Sequence, residues 1–284
     1  MTQVFRVFCV HLFWLLALLF VGQLRGELVS WRTTPPEGMT KAELHYERDL
    51  PAIHGVMVLL PGMNGDGLKL AQDAAWRSFA KENGLGLVGV SFSSSPELLY
   101  GDPARGYYYP EQGSGEVLIR GMHELYGKDV KLFLYGFSGG AQFSARFADQ
   151  HPERVLSWAA YAACFWADSV AAAPSGPPGI VTCGEFDAER YGPAFGYFQQ
   201  GRRKEARWTW VSVGNIGHVR YRRLEDFIRA YFAAILAGDF TKESWMDAEL
   251  KQPTSEDERL LTPSLSVWLP TPQVADSWLK LHHP

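Results

Sequence analysis

Six stretches of the chain are dense in apolar residues and show little alternation: 54–60, 85–92, 130–135, 154–164, 179–183 and 207–213. Their lengths suit strands, and continuous rather than alternating hydrophobicity predicts strands buried on both faces. Segments with helical spacing lie between them. Residues 68–83 place Leu70, Ala74, Ala75, Trp76 and Phe79 on one side. Residues 116–126, 141–150 and 221–236 read the same way, as does 187–204, with a break expected near Pro193. Residues 42–48 alternate weakly and predict an early strand, while 93–115 and 165–178 read as loops. Strand and helix therefore alternate along the chain. This predicts an α/β fold, a mostly parallel twisted sheet with helices on both faces. Such sheets place their sites at the carboxyl ends of the strands.

After Gly238 the periodicity decays. Residues 239–284 form an extension whose Trp245, Trp268 and Trp278 are expected to pack back onto the domain, with His282 and His283 disordered at the end. A hydrophobic content of 46% over 284 residues suits one core of about 200–250 residues plus extensions. The expected division is 1–26, 27–238 and 239–284. A net charge of −4 gives no reason to expect nucleic acid or an anionic membrane as partner. The run Arg202-Arg203-Lys204 reads as a solvated helix end.

Arg6 is the only Lys or Arg in the first 24 residues, and 7–21 is apolar apart from His11. That run is shorter than the roughly 20 residues of a membrane span and suits the core of a signal peptide. Neither Gly22 nor Gly26 has a small residue two positions earlier, so an uncleaved anchor over 7–21 is the alternative. Cys9 lacks the small residues expected before a lipoprotein cysteine. Either way the rest of the chain is expected outside the cytosol, secreted or periplasmic. Cys164 and Cys183, each near a strand end, pair if those strands are neighbours or remain buried thiols. Neither has metal-ligand spacing.

The most informative stretch is the strand of 130–135 running through Gly136-Phe137-Ser138-Gly139-Gly140 into the helix of 141–150. A strand entering a helix so abruptly holds the tip residue in a strained conformation with its side chain exposed. Glycines at the flanks remove the Cβ atoms that would clash. Ser138 is the candidate nucleophile. A serine hydroxyl needs an adjacent base, and the base needs an orienting acid. In this topology the acid follows a later strand and the histidine the last one. His45 and His54 precede the serine in or beside early strands; His123 and His151 belong to helices. Only His218 follows the strand of 207–213, which makes it the candidate base. Past 179–183 the chain reads Gly184-Glu185-Phe186-Asp187. Asp187 is the favoured acid, although its position also suits a helix N-cap. Glu185 competes, with Asp168 third.

An attacked carbonyl develops an oxyanion that needs fixed donors. The Gly139 N–H, directly after the nucleophile, is one candidate. The turn 61–67 supplies the other, Met63 first and Asn64 next. Tyr107 and Tyr108 in the aromatic loop, Trp166 and Asn64 are candidate substrate contacts, although plain packing would also explain the tyrosines. The 165–178 connection is short for a large lid, so an open site is expected.

Together these residues resemble the α/β-hydrolase family over about residues 42–236. Within it they look most like dienelactone-hydrolase-like proteins or polyhydroxyalkanoate-depolymerase and feruloyl-esterase-like proteins. The resemblance implies that Ser138, Asp187 and His218 act as nucleophile, acid and base in two-step acyl transfer, without metal or organic cofactor. The turn at Pro61-Gly62 departs from the His-Gly-Gly-Gly form of many lipases. The expected activity is hydrolysis of small-molecule or polymer-linked carboxylic esters. A serine peptidase on the same fold and a non-catalytic binding protein are the alternatives.

Overall fold

The computed structural model describes residues 26–48, 53–127, 130–167 and 170–282. The expected leader over 1–26 lies outside these residues but for Gly26, as do Cys9, Asp168 and His283. A single eight-stranded sheet organises the chain. In sequence its strands are β1 Leu28–Arg32, β2 Lys41–Glu47, β3 Gly55–Leu60, β4 Leu85–Ser93, β5 Leu132–Phe137, β6 Val155–Tyr161, β7 Gly179–Gly184 and β8 Trp208–Val213. Their spatial order is β1-β2-β4-β3-β5-β6-β7-β8. Strands β3 to β8 pair in parallel, and β1 and β2 add an antiparallel edge. The sheet is thus mostly parallel, as the unbroken apolar runs require. Strands β3, β7 and β8 are buried along their whole length.

Helices α1 Gly67–Ala71, α2 Ala74–Glu82, α3 Pro96–Gly101, α4 Ser114–Tyr126, α5 Gly139–Gln150, α6 Ala188–Arg203 and α7 Arg222–Ala237 connect the strands. The helix expected over 68–83 is two helices. The Asp73 carboxylate accepts from the Ala75 and Trp76 N–H groups, starting a fresh N-terminus where one continuous helix was expected. The loop expected over 93–115 contains α3, whose start is set by Ser95 capping Leu98 N–H and by Pro96 in the first turn. Pro193 does not break α6. The carbonyl left without an N–H belongs to Glu189, on the exposed first turn of the helix.

The extension forms a hairpin-like pair, β9 Ser244–Asp247 with β10 Ser266–Leu269, and helices α8 Glu256–Leu261 and α9 Pro272–His282. Trp268 and Trp278 are fully buried against the sheet edge, while Trp245 is half-buried. The Trp278 indole N–H donates to the Trp210 carbonyl of β8 at 2.7 Å. His282, expected disordered, closes α9 with its ring 4.4 Å from that of Trp278. Among the described residues no helix is long and apolar enough to cross a membrane.

Candidate active site

β5 delivers the chain to Ser138 and α5 begins at the next residue. Ser138 sits at φ 53°, ψ −116°, a conformation that costs an L-residue about 1–3 kcal/mol. A Cβ on Gly136 would lie 2.1 Å from the Gly140 carbonyl oxygen, and one on Gly140 would lie 2.3 Å from that of Leu60. Only glycine permits both approaches. The strained residue is pinned from two sides. Ser138 N–H donates to Tyr161 O at 2.8 Å, and Gly140 N–H donates to Pro61 O at 3.0 Å.

The last two strands bring the partners. Asp187 stands at the N-cap position of α6, yet its side chain makes no capping bond. The carboxylate turns instead toward the loop after β8. His218 Nδ1 lies 2.7 Å from Asp187 Oδ2, and His218 Nε2 lies 3.0 Å from Ser138 Oγ. Asp187 is only 4% exposed, whereas about a third of the His218 side chain (32%) meets solvent. The imidazole stacks on Phe137 at 5.0 Å between centroids. The two loops are stitched together. Glu185 N–H donates to Val213 O and Phe186 N–H to Ile216 O. A Cβ on Gly184 would lie 2.2 Å from that Ile216 oxygen. Beyond the histidine, the Tyr161 hydroxyl donates to Val219 O, and Arg220 grips Glu225 through two hydrogen bonds.

Of the competing carboxylates, Glu185 accepts from Ser212 Oγ at 2.7 Å and is not at the imidazole. Burial, reinforced by the Asp187 charge, pushes the Cys183 thiol up to about 12. Cys183 and Cys164 are free thiols. Among the described residues no cluster of His, Cys, Asp and Glu could hold a metal ion.

The two residues expected to supply oxyanion donors, Gly139 and Met63, lie close together. A Cβ on Gly139 would lie 3.2 Å from Met63 Cα, so the two backbones face each other closely. Among the described residues neither N–H meets a backbone acceptor outside its own helix or strand. Asn64 N–H, the alternative donor, is bound to the Tyr107 hydroxyl at 3.1 Å.

No family model and no curated protein matches the chain. Solved structures do. A poly(3-hydroxybutyrate) depolymerase, LpqC from Bordetella parapertussis, is similar at 15% identity, covering 86% of this chain and 96% of that one, with a TM-score of 0.52. An S-formylglutathione hydrolase from Staphylococcus aureus is similar at 16% identity over 75% of this chain and 98% of its own, with a TM-score of 0.53. An arylesterase is similar at 14% identity, covering 75% and 85%, with a TM-score of 0.55. The chain has the α/β-hydrolase fold.

In this α/β-hydrolase fold an open cleft of about 730 Å³ lies over Ser138 and His218. Its walls are largely apolar, from Met63, Leu99, Tyr100, Tyr108, Phe137 and Phe165. Tyr108 thus lines the cleft, but three other expected substrate contacts do not. Tyr107 is buried one layer beneath, its ring against Tyr108 and its hydroxyl on Asn64; burial pushes its phenol well above the usual range. The Asn64 side chain is bonded to Ser94, donating to its carbonyl and accepting from its N–H. Trp166 stacks on Tyr197 at 4.3 Å, drawn to the flat faces of a neighbouring aromatic cluster.

Sequence reasoning missed the polar wall, which comprises Gln142, Glu189 and Arg190. Helical spacing carries the signal. Gln142 lies one turn after Ser138, and Arg190 lies three residues after Asp187, so each projects beside the group it follows. Gln142 is 5% exposed, and its Oε1 has no hydrogen-bond partner among the described residues.

Proposed function

We propose that this protein is a serine hydrolase of carboxylic esters. The reading is carried by the continuous line Ser138 Oγ, His218 Nε2, His218 Nδ1, Asp187 Oδ2, with links of 3.0 and 2.7 Å. Ser138 attacks the ester carbonyl while His218 Nε2 takes its proton. Asp187 holds the ring and faces the imidazolium that forms. The oxyanion lies between the N–H groups of Gly139 and Met63. His218 returns the proton to the leaving alcohol, and water, activated by the same histidine, releases the acid from the acyl-enzyme. The similar depolymerase, S-formylglutathione hydrolase and arylesterase support ester over amide chemistry. The open apolar cleft suits the chain of a small-molecule or polymer-linked ester. The apolar run over 7–21 supports work outside the cytosol, secreted or held by that segment.

The test is pre-steady-state hydrolysis of soluble aryl esters beside peptide amides. The expected result is a burst of phenol equal to the enzyme, then steady turnover, with amides at least about a hundredfold slower. Equal turnover of amides would favour a peptidase. Fractionation of cells making the full chain, with N-terminal sequencing, checks the location.

A further inference from the structure

The Asp187 carboxylate is held in an unusual way for a residue at a helix start. A side chain at that position ordinarily accepts from the N–H groups of the first turn, which is worth about 1 kcal/mol to the helix. Here no such bond forms. Among the described residues, the side-chain partners of the carboxylate are His218 on Oδ2 and the Arg190 guanidinium, whose Nη1 lies 2.9 Å from Oδ1. Arg190 reaches back from the first turn of α6, and its other neighbour, Glu189, is 3.6 Å away and 83% exposed. Burial disfavours the guanidinium charge, and the hydrogen bond and charge of Asp187 outweigh it, so the Arg190 pKa is raised.

We propose that Arg190 is a positioning residue that acts on His218 through Asp187. It fixes which carboxylate oxygen faces the imidazole, and it sets the pH at which the imidazole becomes free to accept the Ser138 proton. The inference rests on the reading of Ser138, His218 and Asp187 as catalytic. A carboxylate beside an imidazole favours the charged ring. A guanidinium on that carboxylate's other oxygen offsets the field, so the Asp187–Arg190 pair acts on the ring as a nearly neutral dipole. The other groups facing the pair do not supply this charge. Cys183 and Tyr161, from the strands beneath, are kept neutral by burial. Cys164 lies near Arg190, Glu185 is bonded to Ser212, and Arg220 is paired with Glu225.

The experiment titrates the His218 ring by NMR in the full chain, wild type beside Arg190→Gln and Arg190→Lys, with pH profiles of kcat/KM on a soluble aryl ester. In Arg190→Gln the ring midpoint and the acid limb of the profile are expected to rise together by about 1 pH unit. Arg190→Lys is expected to return both toward wild type, while kcat stays several-fold low because an ammonium lacks the fixed fork. Should Gln impair folding, Arg190→Met keeps the stem, and the same rise is expected of it. A lower melting temperature with an unmoved ring midpoint would overturn the proposal and leave a structural ion pair. The ring titration needs no substrate. A moving midpoint in a protein that hydrolyses no ester would support the role of Arg190 while overturning the hydrolase reading.

Discussion

Two histidines in this molecule each bond a serine hydroxyl through Nε2, and they are built for opposite ends. His45 on β2 bonds Ser30 Oγ at 2.8 Å through Nδ1 and Ser91 Oγ at 2.9 Å through Nε2, with Glu43 3.9 Å away. His218 bonds Asp187 at 2.7 Å and Ser138 at 3.0 Å. The serine–Nε2 distances are nearly the same. The surroundings are not. His45 is buried, and desolvation lowers its pKa despite the pull of Glu43. Ser91 faces inward and accepts from Gly67 N–H. Ser138 instead stands on a strained turn at the floor of a cleft. The comparison teaches that a hydrogen-bonded serine and histidine do not make a site. At Ser138 a carboxylate in contact with the histidine, a strained serine and an opening are added.

Removing each serine separates the two assemblies most widely. Ser138→Ala is expected to lower ester turnover by about 10⁴-fold or more with the melting temperature nearly unchanged. Ser91→Ala is expected to do the reverse, keeping turnover and losing about 1–3 kcal/mol of stability as Gly67 N–H and His45 lose a buried partner. Turnover and denaturant unfolding on both variants check this. Next in size, Asp187→Asn is expected to lower kcat by about 10³–10⁴-fold through loss of the right tautomer, whereas Glu185→Gln leaves it near wild type. Equal losses in both would break the contrast between a carboxylate in contact and one merely nearby.

Thiols sharpen the difference between buried and cleft-facing groups. Of Cys164 and Cys183, native protein at neutral pH is expected to take up maleimide at half-buried Cys164 on the cleft wall. Buried Cys183, with its thiol pushed up to about 12, is expected to react only after unfolding. Peptide mapping reads the outcome. The smallest effect belongs to His45. Its folded pKa lies below the usual 6.5, so the unfolded chain binds the proton first as pH falls. The stability this contributes is present above 6.5 and declines below it. Unfolding measured from pH 7 to pH 5 is expected to show a shallower decline in His45→Gln than in wild type.

The sequence already carried the part of the site that rests on short-range constraints. Gly136 and Gly140 are glycines because backbone atoms lie where their Cβ atoms would be, and that demand is visible in five consecutive residues. The order of Ser138, Asp187 and His218 along the chain follows from the strands that carry them. What could not be read depended on contacts between distant segments. Asn64 is folded onto Ser94, Tyr107 onto Asn64 and Trp166 onto Tyr197, and no local pattern distinguishes these from cleft residues. Other misses were local. Ser95 before Pro96 marks the start of α3, and Asp73 marks the start of α2. Both caps lay inside stretches read as one loop and one helix. Arg190 was hidden because its role exists only once the Asp187 carboxylate has turned away from its own helix.

The proposed chemistry turns on Ser138 as the activated serine. Mapping a fluorophosphonate adduct by mass spectrometry on the folded protein, wild type beside Ser138→Ala, tests it most directly. Stoichiometric labelling confined to Ser138 is expected in the wild type and none in the variant. A folded wild type that takes up no label, or carries it on another serine such as Ser91, would contradict it.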